Sequence, residues 1–95
     1  MLRIVYLGFQ EVMKALADPT RREILNILKP GALPATEIAD HFDMSAAAIS
    51  KHLSVLREAE LVRSRRDGKY IYYELSASVI EEILLWLKDL KEDAT

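Results

Sequence analysis

Residues 44–75 read Met44-Ser-Ala-Ala-Ala-Ile-Ser-Lys-His-Leu-Ser-Val-Leu-Arg-Glu-Ala-Glu-Leu-Val-Arg-Ser-Arg-Arg-Asp-Gly-Lys-Tyr-Ile-Tyr-Tyr-Glu-Leu75, and two periodicities meet in them. In the first half Ile49, Leu53 and Leu56 recur at i, i+4 and i+7, one apolar face of a helix over about Ala46–Ala59. Ser45 is a good N-cap for it. The opposite face carries Ala46, Ala47, Ser50, Lys51 and Ser54, small or hydrogen-bonding side chains plus a cation, so another surface can approach closely. From Leu61 the period changes to two. Leu61–Arg66 and Tyr70–Leu75 read as strands, and Asp67-Gly68 between them is a strong hairpin signal. Val62, Ile71, Tyr73 and Leu75 then face a core, while Arg63, Arg65 and Tyr72 face out.

Working outward, Asp18-Pro19 marks a helix start, with Asp as N-cap and Pro at the first helical position. The helix before it, about Phe9–Ala17, sets Phe9, Val12, Met13 and Leu16 on one face. The helix after it, about Pro19–Leu28, ends at Lys29-Pro30-Gly31. A short helix of about two turns follows over Thr36–Phe42 and breaks at Asp43-Met44-Ser45. The last helix, about Val79–Lys91, is apolar over more than the ~100° stripe that a surface helix needs. The order is α-α-α-α-β-β-α: a mainly helical chain with a small β-hairpin. Two helices joined by a tight turn and followed by a basic hairpin make a winged helix-turn-helix, with Ala46–Ala59 as its recognition helix. Residues 9–95 form one domain. Residues 1–8 precede it as an extension of unknown role, either an upstream translation start or an extra strand that packs in a dimer.

The chain has 95 residues and no cysteine, so it is one domain without disulfides or thiolate chemistry. Apolar residues make up 51% and charged residues 29%, a foldable balance. The apolar stretch Ile83–Leu87 is far short of the ~20 residues that cross a bilayer, and the N-terminus lacks the layout of a signal peptide. A cytoplasmic protein without membrane insertion is expected. Net charge is −2, but it is unevenly spread: residues 45–75 carry six cations and four anions, and residues 76–95 carry two cations and five anions. Four cations fall between Arg63 and Lys69, a local basic stripe of the kind a phosphate backbone feels.

A helix that reads base edges needs short polar side chains at its exposed N-terminal face. Ser45, Ala46, Ala47, Ser50, Lys51, His52, Ser54 and Arg57 are the candidates there, with Thr36 at the start of the preceding helix. Serine donates or accepts, alanine touches a thymine methyl, and lysine reaches guanine or phosphate; His52 is placed to touch a phosphate. In the wing, 63–72, Arg63, Arg65, Arg66 and Lys69 would meet the backbone or the minor groove. No glycine-rich phosphate loop or nucleophile-base pattern argues for an enzyme. The competing reading is a winged helix used only for protein interaction or dimerisation, which has no need of four cations in seven residues.

Three linked motifs also carry a resemblance. Lys14-Ala-Leu-Ala-Asp-Pro-Thr-Arg-Arg-Glu-Ile-Leu25 resembles the opening of the ArsR/SmtB-type repressors, Met44–Val62 resembles their recognition helix, and Arg65–Leu75 resembles their wing. The match covers about residues 9–90 and implies a homodimeric transcriptional repressor on a palindromic double-stranded DNA operator. The family's metal sites do not carry over. A Cys-x-Cys pair found in its best-known sensors falls here at about Pro34 and Thr36, and the last helix, which elsewhere supplies Asp and His ligands, has no His. His41 and His52 lie on different helices, without a ligand partner at i+3 or i+4. The chain therefore resembles the metal-independent, SdpR-like group, with no cofactor. Whether a small molecule or a partner protein releases it from DNA stays open. Dimerisation also follows from apolar surplus: Phe9, Val12, Met13 and Leu16, with Ile83, Leu84, Trp86, Leu87 and Leu90, offer more surface than so short a chain can cover.

Overall fold

Asp18 and Pro19 separate the first two helices as their chemistry dictates. The Asp18 carboxylate accepts from the Arg21 N–H at 3.1 Å, and Pro19 opens α2 where no N–H is needed. The computed structural model describes the backbone of residues 2–93 and the side chains of residues 8–92. Its helices are α1 (Leu2–Leu16), α2 (Pro19–Ile27), α3 (Ala35–Ala39), α4 (Ala46–Glu58) and α5 (Ala77–Asp93). The strands are β1 (Leu33–Pro34), β2 (Val62–Asp67) and β3 (Tyr70–Leu75). Residues 2–8, the expected extension, are helical and continuous with α1, so they form no strand; the side chains of residues 1–7 lie outside the described residues.

The sheet is antiparallel in the order β1-β3-β2, with Val62 opposite Leu75, Ser64 opposite Tyr73 and Arg66 opposite Ile71. The third strand, β1, went unread because two residues are too short to show a period. Its Leu33 and Pro34 pair with Tyr73 and Tyr72 at the sheet edge, where proline's missing N–H costs no ladder bond. The hairpin turns over two residues, with Gly68 at φ 65, the positive angle that its lack of Cβ permits.

Ile24 and Leu28 of α2, Ile38 of α3 and Ile49, Leu53 and Leu56 of α4 form one core with Val12, Leu61, Val62, Val79 and Ile83. The expected inward set of the wing holds for Val62, with Tyr73 and Leu75 half-buried, but Ile71 is 44% exposed. It lies on the expected face. The hairpin, however, runs past the end of the core, so Ile71 is only partly covered.

Helix α4 is capped at both ends. Ser45 Oγ accepts from the Ala48 N–H at 3.1 Å. At the other end Leu61 N–H donates to the Leu56 carbonyl at 3.0 Å and Glu60 N–H to the Arg57 carbonyl at 2.9 Å, the paired bonds of a Schellman motif. That motif puts its C′ residue in the left-handed region, and Glu60 sits at φ 59 where glycine is the usual choice. Buried Leu61 supplies the apolar contact that closes the motif.

Two stability predictions follow from the caps. Replacing Glu60 by Gly should stabilise the fold by roughly 0.5–1 kcal/mol, because relief of the left-handed strain exceeds the added chain entropy. Urea unfolding reads this, and an unchanged or lower midpoint would remove strain at Glu60 from the account. At Asp18, desolvation pushes the carboxyl up, but the Arg21 N–H, the charges of Arg21 and His52 and the Thr20 N–H outweigh it and hold it below its ordinary value. A carboxyl lowered by folding stabilises above its unfolded value of about 3.9, and this stabilisation is lost as pH falls through the lower folded value. Asp18→Asn should therefore be less stable than the parent at neutral pH, with a shallower loss of stability below about pH 4. Superimposable acid-unfolding curves would contradict that.

Candidate nucleic-acid interface

Burial of Ile49, Leu53 and Leu56 on one side of α4 turns the other side to solvent. Ala46, Ala47, Ser50, Lys51, Ser54 and Arg57 are all exposed there, preceded by exposed Ser45 and joined from α3 by exposed Thr36. The face is open at its N-terminal end, where the small side chains let a partner approach the helix backbone. Near its C-terminal end Arg57 donates to Ser64 Oγ of β2 at 3.4 Å, tying the helix to the wing.

The pleat sorts the wing cations into two sets. Arg63 and Arg65 share the outer face with Glu74 and Tyr72. Arg63 lies 3.5 Å from the Glu74 carboxylate, and Arg65 lies over the Tyr72 ring and 3.8 Å from Asp67. Arg66 points the other way, on the face of Val62 and Ser64 that turns to α4. Its Nε donates to the Gly68 carbonyl, and among the described residues it has no carboxylate partner. Lys69 lies over the Tyr70 ring at the tip. Between α3, α4 and β3 runs a groove of about 350 Å³, walled by Thr36, Asp40, Ala46, Ser50, Ile71 and Tyr73 among others. Tyr73 packs against the core as expected and also walls this groove, whereas Ile71, expected to face the core, is an exposed part of the wing-side wall.

His52 does not join the reading face. It is half-buried on the side of α4 turned to α1 and α2, with Nδ1 3.2 Å from an Arg21 nitrogen and 4.0 Å from Asp18 Oδ2. Nδ1 is thus engaged inside the protomer, and the ring keeps 21% exposure. Arg21, which drew no attention in the sequence beyond its motif, also donates to the carbonyls of Lys14 and Ala15. His41 Nδ1 bonds the Glu37 carbonyl one turn back at 3.0 Å. Among the described residues no three His, Asp or Glu side chains gather where a metal ion could be held.

The apolar set expected to pair two copies divides. Val12 (1% exposed) and Ile83 (8%) belong to the protomer's own core. Phe9 and Trp86 meet edge-on, ring centroids 4.9 Å apart, and with Leu16 are half-buried between α1 and α5. Met13, Leu84, Leu87 and Leu90 remain exposed, Leu84 at 59%. Leu84 also rims a slot of about 250 Å³ lined only by apolar side chains, among them Leu16, Leu25, Leu61 and Ile80. Among the described residues no helix is long and apolar enough to cross a membrane.

Comparison with known proteins meets this geometry. A family described as "Helix-turn-helix domain" matches residues 16–65, the stretch that holds α2, α3 and α4 and enters β2. The transcriptional repressor SdpR of Bacillus subtilis is 45% identical over 76 residues, 80% of this chain and 84% of that protein. An arsenical resistance operon repressor of Staphylococcus aureus is 34% identical over 79 residues, 83% of this chain and 76% of its own. Among solved structures, an ArsR-like transcriptional regulator from Rhodococcus sp. RHA1 superposes with a TM-score of 0.85 at 30% identity, over 94% of this chain and 82% of that one. An exposed, small-residue helix face beside a basic wing, on a chain this similar to repressors over most of its length, identifies a non-enzymatic, DNA-binding member of the ArsR/SmtB-type winged-helix transcriptional repressors.

Proposed function

We propose that the protein acts as a homodimer on a two-fold operator, reading bases with the exposed face of α4 and holding the phosphate backbone with the wing. The observation that carries this is the coexistence of two unlike surfaces on one small chain. One is the hydrogen-bonding face of Ala46, Ala47, Ser50, Lys51 and Ser54. The other is the set of exposed apolar side chains Met13, Leu84, Leu87 and Leu90 on α1 and α5, the kind of surface that marks an interaction site. A two-fold pairing through that surface sets two copies of α4 roughly 34 Å apart, one turn of DNA, on a palindrome. Repression then follows by occupancy of a promoter, in keeping with relatives that are named as repressors. Binding that needs no metal fits the absence of cysteine. A cytoplasmic location fits a protein whose partner is chromosomal DNA.

Three measurements test this. Fluorescence anisotropy on DNA upstream of the protein's own gene, near 150 mM salt with excess competitor, should show competitor-resistant binding at two protomers per site. Loss of all binding to competitor, followed by a selection from random DNA that returns no motif, would favour a winged helix used only for protein interaction. Ser50→Ala or Lys51→Ala should then cost about 1–3 kcal/mol of operator affinity and little affinity for scrambled DNA. Leu84→Glu with Leu87→Glu should give a folded monomer in sedimentation that loses the operator. A double variant still dimeric at micromolar concentration would move the interface elsewhere.

The two faces of the wing give a sharper expectation. Arg66→Ala should weaken binding to all sequences and lower the salt slope by about one. Arg65→Ala should do less, since its guanidinium is already shared with Tyr72 and Asp67. Equal slopes for both variants would mean that the outer face of the hairpin meets DNA as closely as the inner.

A further inference from the structure

The Arg21 guanidinium stands where three helices meet. Its Nε donates to the Ala15 carbonyl at 2.9 Å, and one terminal nitrogen donates to the Lys14 carbonyl at 2.8 Å. Arg22 takes the Leu16 carbonyl at 2.7 Å. These are among the last four carbonyls of α1, which the helix itself leaves without partners. The other Arg21 nitrogen lies 3.2 Å from His52 Nδ1 on α4, and the Asp18 carboxylate, already bound to the Arg21 N–H, lies 4.0 Å from the same Nδ1. One residue thus closes the end of α1, joins the start of α2 and grips α4.

Arginine has five donors and no acceptor, and it keeps its proton in proteins. His52 Nδ1 must therefore be the acceptor, which places the ring proton of the neutral form on Nε2. Protonation of the ring would set a second donor and a second positive charge against the guanidinium, and the bond could not persist. Among the described residues, the charged groups that interact with the ring are Arg21 from α2 and Asp18 from the turn, and α1 meets the junction with the Lys14 and Ala15 carbonyls bound to Arg21. The charged ring's remaining acceptor is Asp18 Oδ2, so the ring must move to reach it. His52 lies two residues after Ser50, about 200° around the helix, so any shift of its anchor tilts the reading face.

We propose that Arg21 and neutral His52 are a positioning pair that fixes the angle of α4 against α1 and thereby the spacing of the two reading helices, so that protonation of His52 relaxes operator recognition. This rests on the dimeric operator reading above. The surface proposed for pairing lies on α1 and α5, and the pair links α1 to the helix that reads. Neither side chain need touch DNA.

The test compares the full-length parent with His52→Asn, His52→Leu and Arg21→Leu. Asparagine keeps an acceptor near the Nδ1 position and does not titrate; leucine keeps neither acceptor nor charge. Anisotropy gives the ratio of affinities for a two-half-site duplex selected from random DNA and for a scrambled duplex, from pH 5.5 to 8 at fixed salt. The parent ratio should fall roughly tenfold between pH 8 and pH 5.5, the scale of one charge-assisted hydrogen bond. His52→Asn should hold the high ratio throughout, and His52→Leu and Arg21→Leu should show the low ratio at both ends. Imidazole 15N spectra without DNA should show the Nε2–H tautomer at pH 8 in the parent. A parent ratio independent of pH, a His52→Leu ratio equal to the parent's at pH 8, or the Nδ1–H tautomer overturns the proposal and leaves operator binding intact. If Arg21→Leu does not fold, the two His52 variants decide alone. If the parent prefers no selected duplex over scrambled DNA, the operator reading fails and this proposal falls with it.

Discussion

Removal of Ile49, Leu53 and Leu56 from water fixes what α4 shows to its surroundings. A helix turns 100° per residue, so once that stripe is seated on Ile24, Leu28 and Ile38 the remaining positions have no freedom of direction. Ala46, Ala47, Ser50, Lys51 and Ser54 are exposed because their neighbours are buried. The wing depends on the same constraint. Val62 and Leu61 are pulled into the core directly after the Schellman turn, and the pleat then alternates the arginines that follow between two faces. A core substitution such as Leu53→Ala would thus damage recognition without touching any residue that meets DNA.

Electrostatics refines this picture without setting it. A net charge of −2 opposes a polyanion only if the charge is felt as a whole, and at physiological salt it is not, since fields fade over about 8 Å. What DNA would meet is local: Lys51 on the helix, Arg66 on the inner face of the hairpin and Lys69 at its tip. Arg63 and Arg65 face Glu74 and Asp67, and such exposed pairs contribute little stability. Their partners lower the local charge and hold the guanidinium groups in one place. The acidic residues of 76–95 sit on or beside α5, in sequence and in structure apart from the reading face.

The architecture was legible because its two decisive signals are periodic: i, i+4, i+7 over 49–56, then alternation around Asp67-Gly68. Periodicity fails where an element is too short or where the decisive contact is not apolar. Strand β1 is two residues long, so only its pairing with Tyr72 and Tyr73 defines it. The end of α4 near Ala59 was legible from the change of period at Leu61, but the left-handed cap at Glu60 was not, because glycine, the residue that announces one, is absent. Among site residues, exposure was legible for the small and basic ones. The direction of His52 was not, because a histidine on a basic helix reads as a phosphate contact until Arg21 and Asp18 are seen beside it. Val12 and Ile83 show the converse error: an apolar stripe tells which residues leave water, not which surface takes them.

That distinction bears on how the protomer is held. A chain of 95 residues buries a modest share of its surface, and here the core draws Val12 and Ala15 from α1 and Val79 and Ile83 from α5, while Met13, Leu84, Leu87 and Leu90 stay outside. In the proposed dimer those side chains complete a core that each protomer only begins. Protein concentration then stabilises the fold as a ligand does, by mass action on the native state alone. It also means that the scaffold end of α1 stiffens on pairing, and α1 is the helix whose last carbonyls Arg21 and Arg22 hold. Dimerisation and helix positioning are on this view one structural problem: a reading helix can be aimed across a two-fold axis only as well as the element beneath it is fixed.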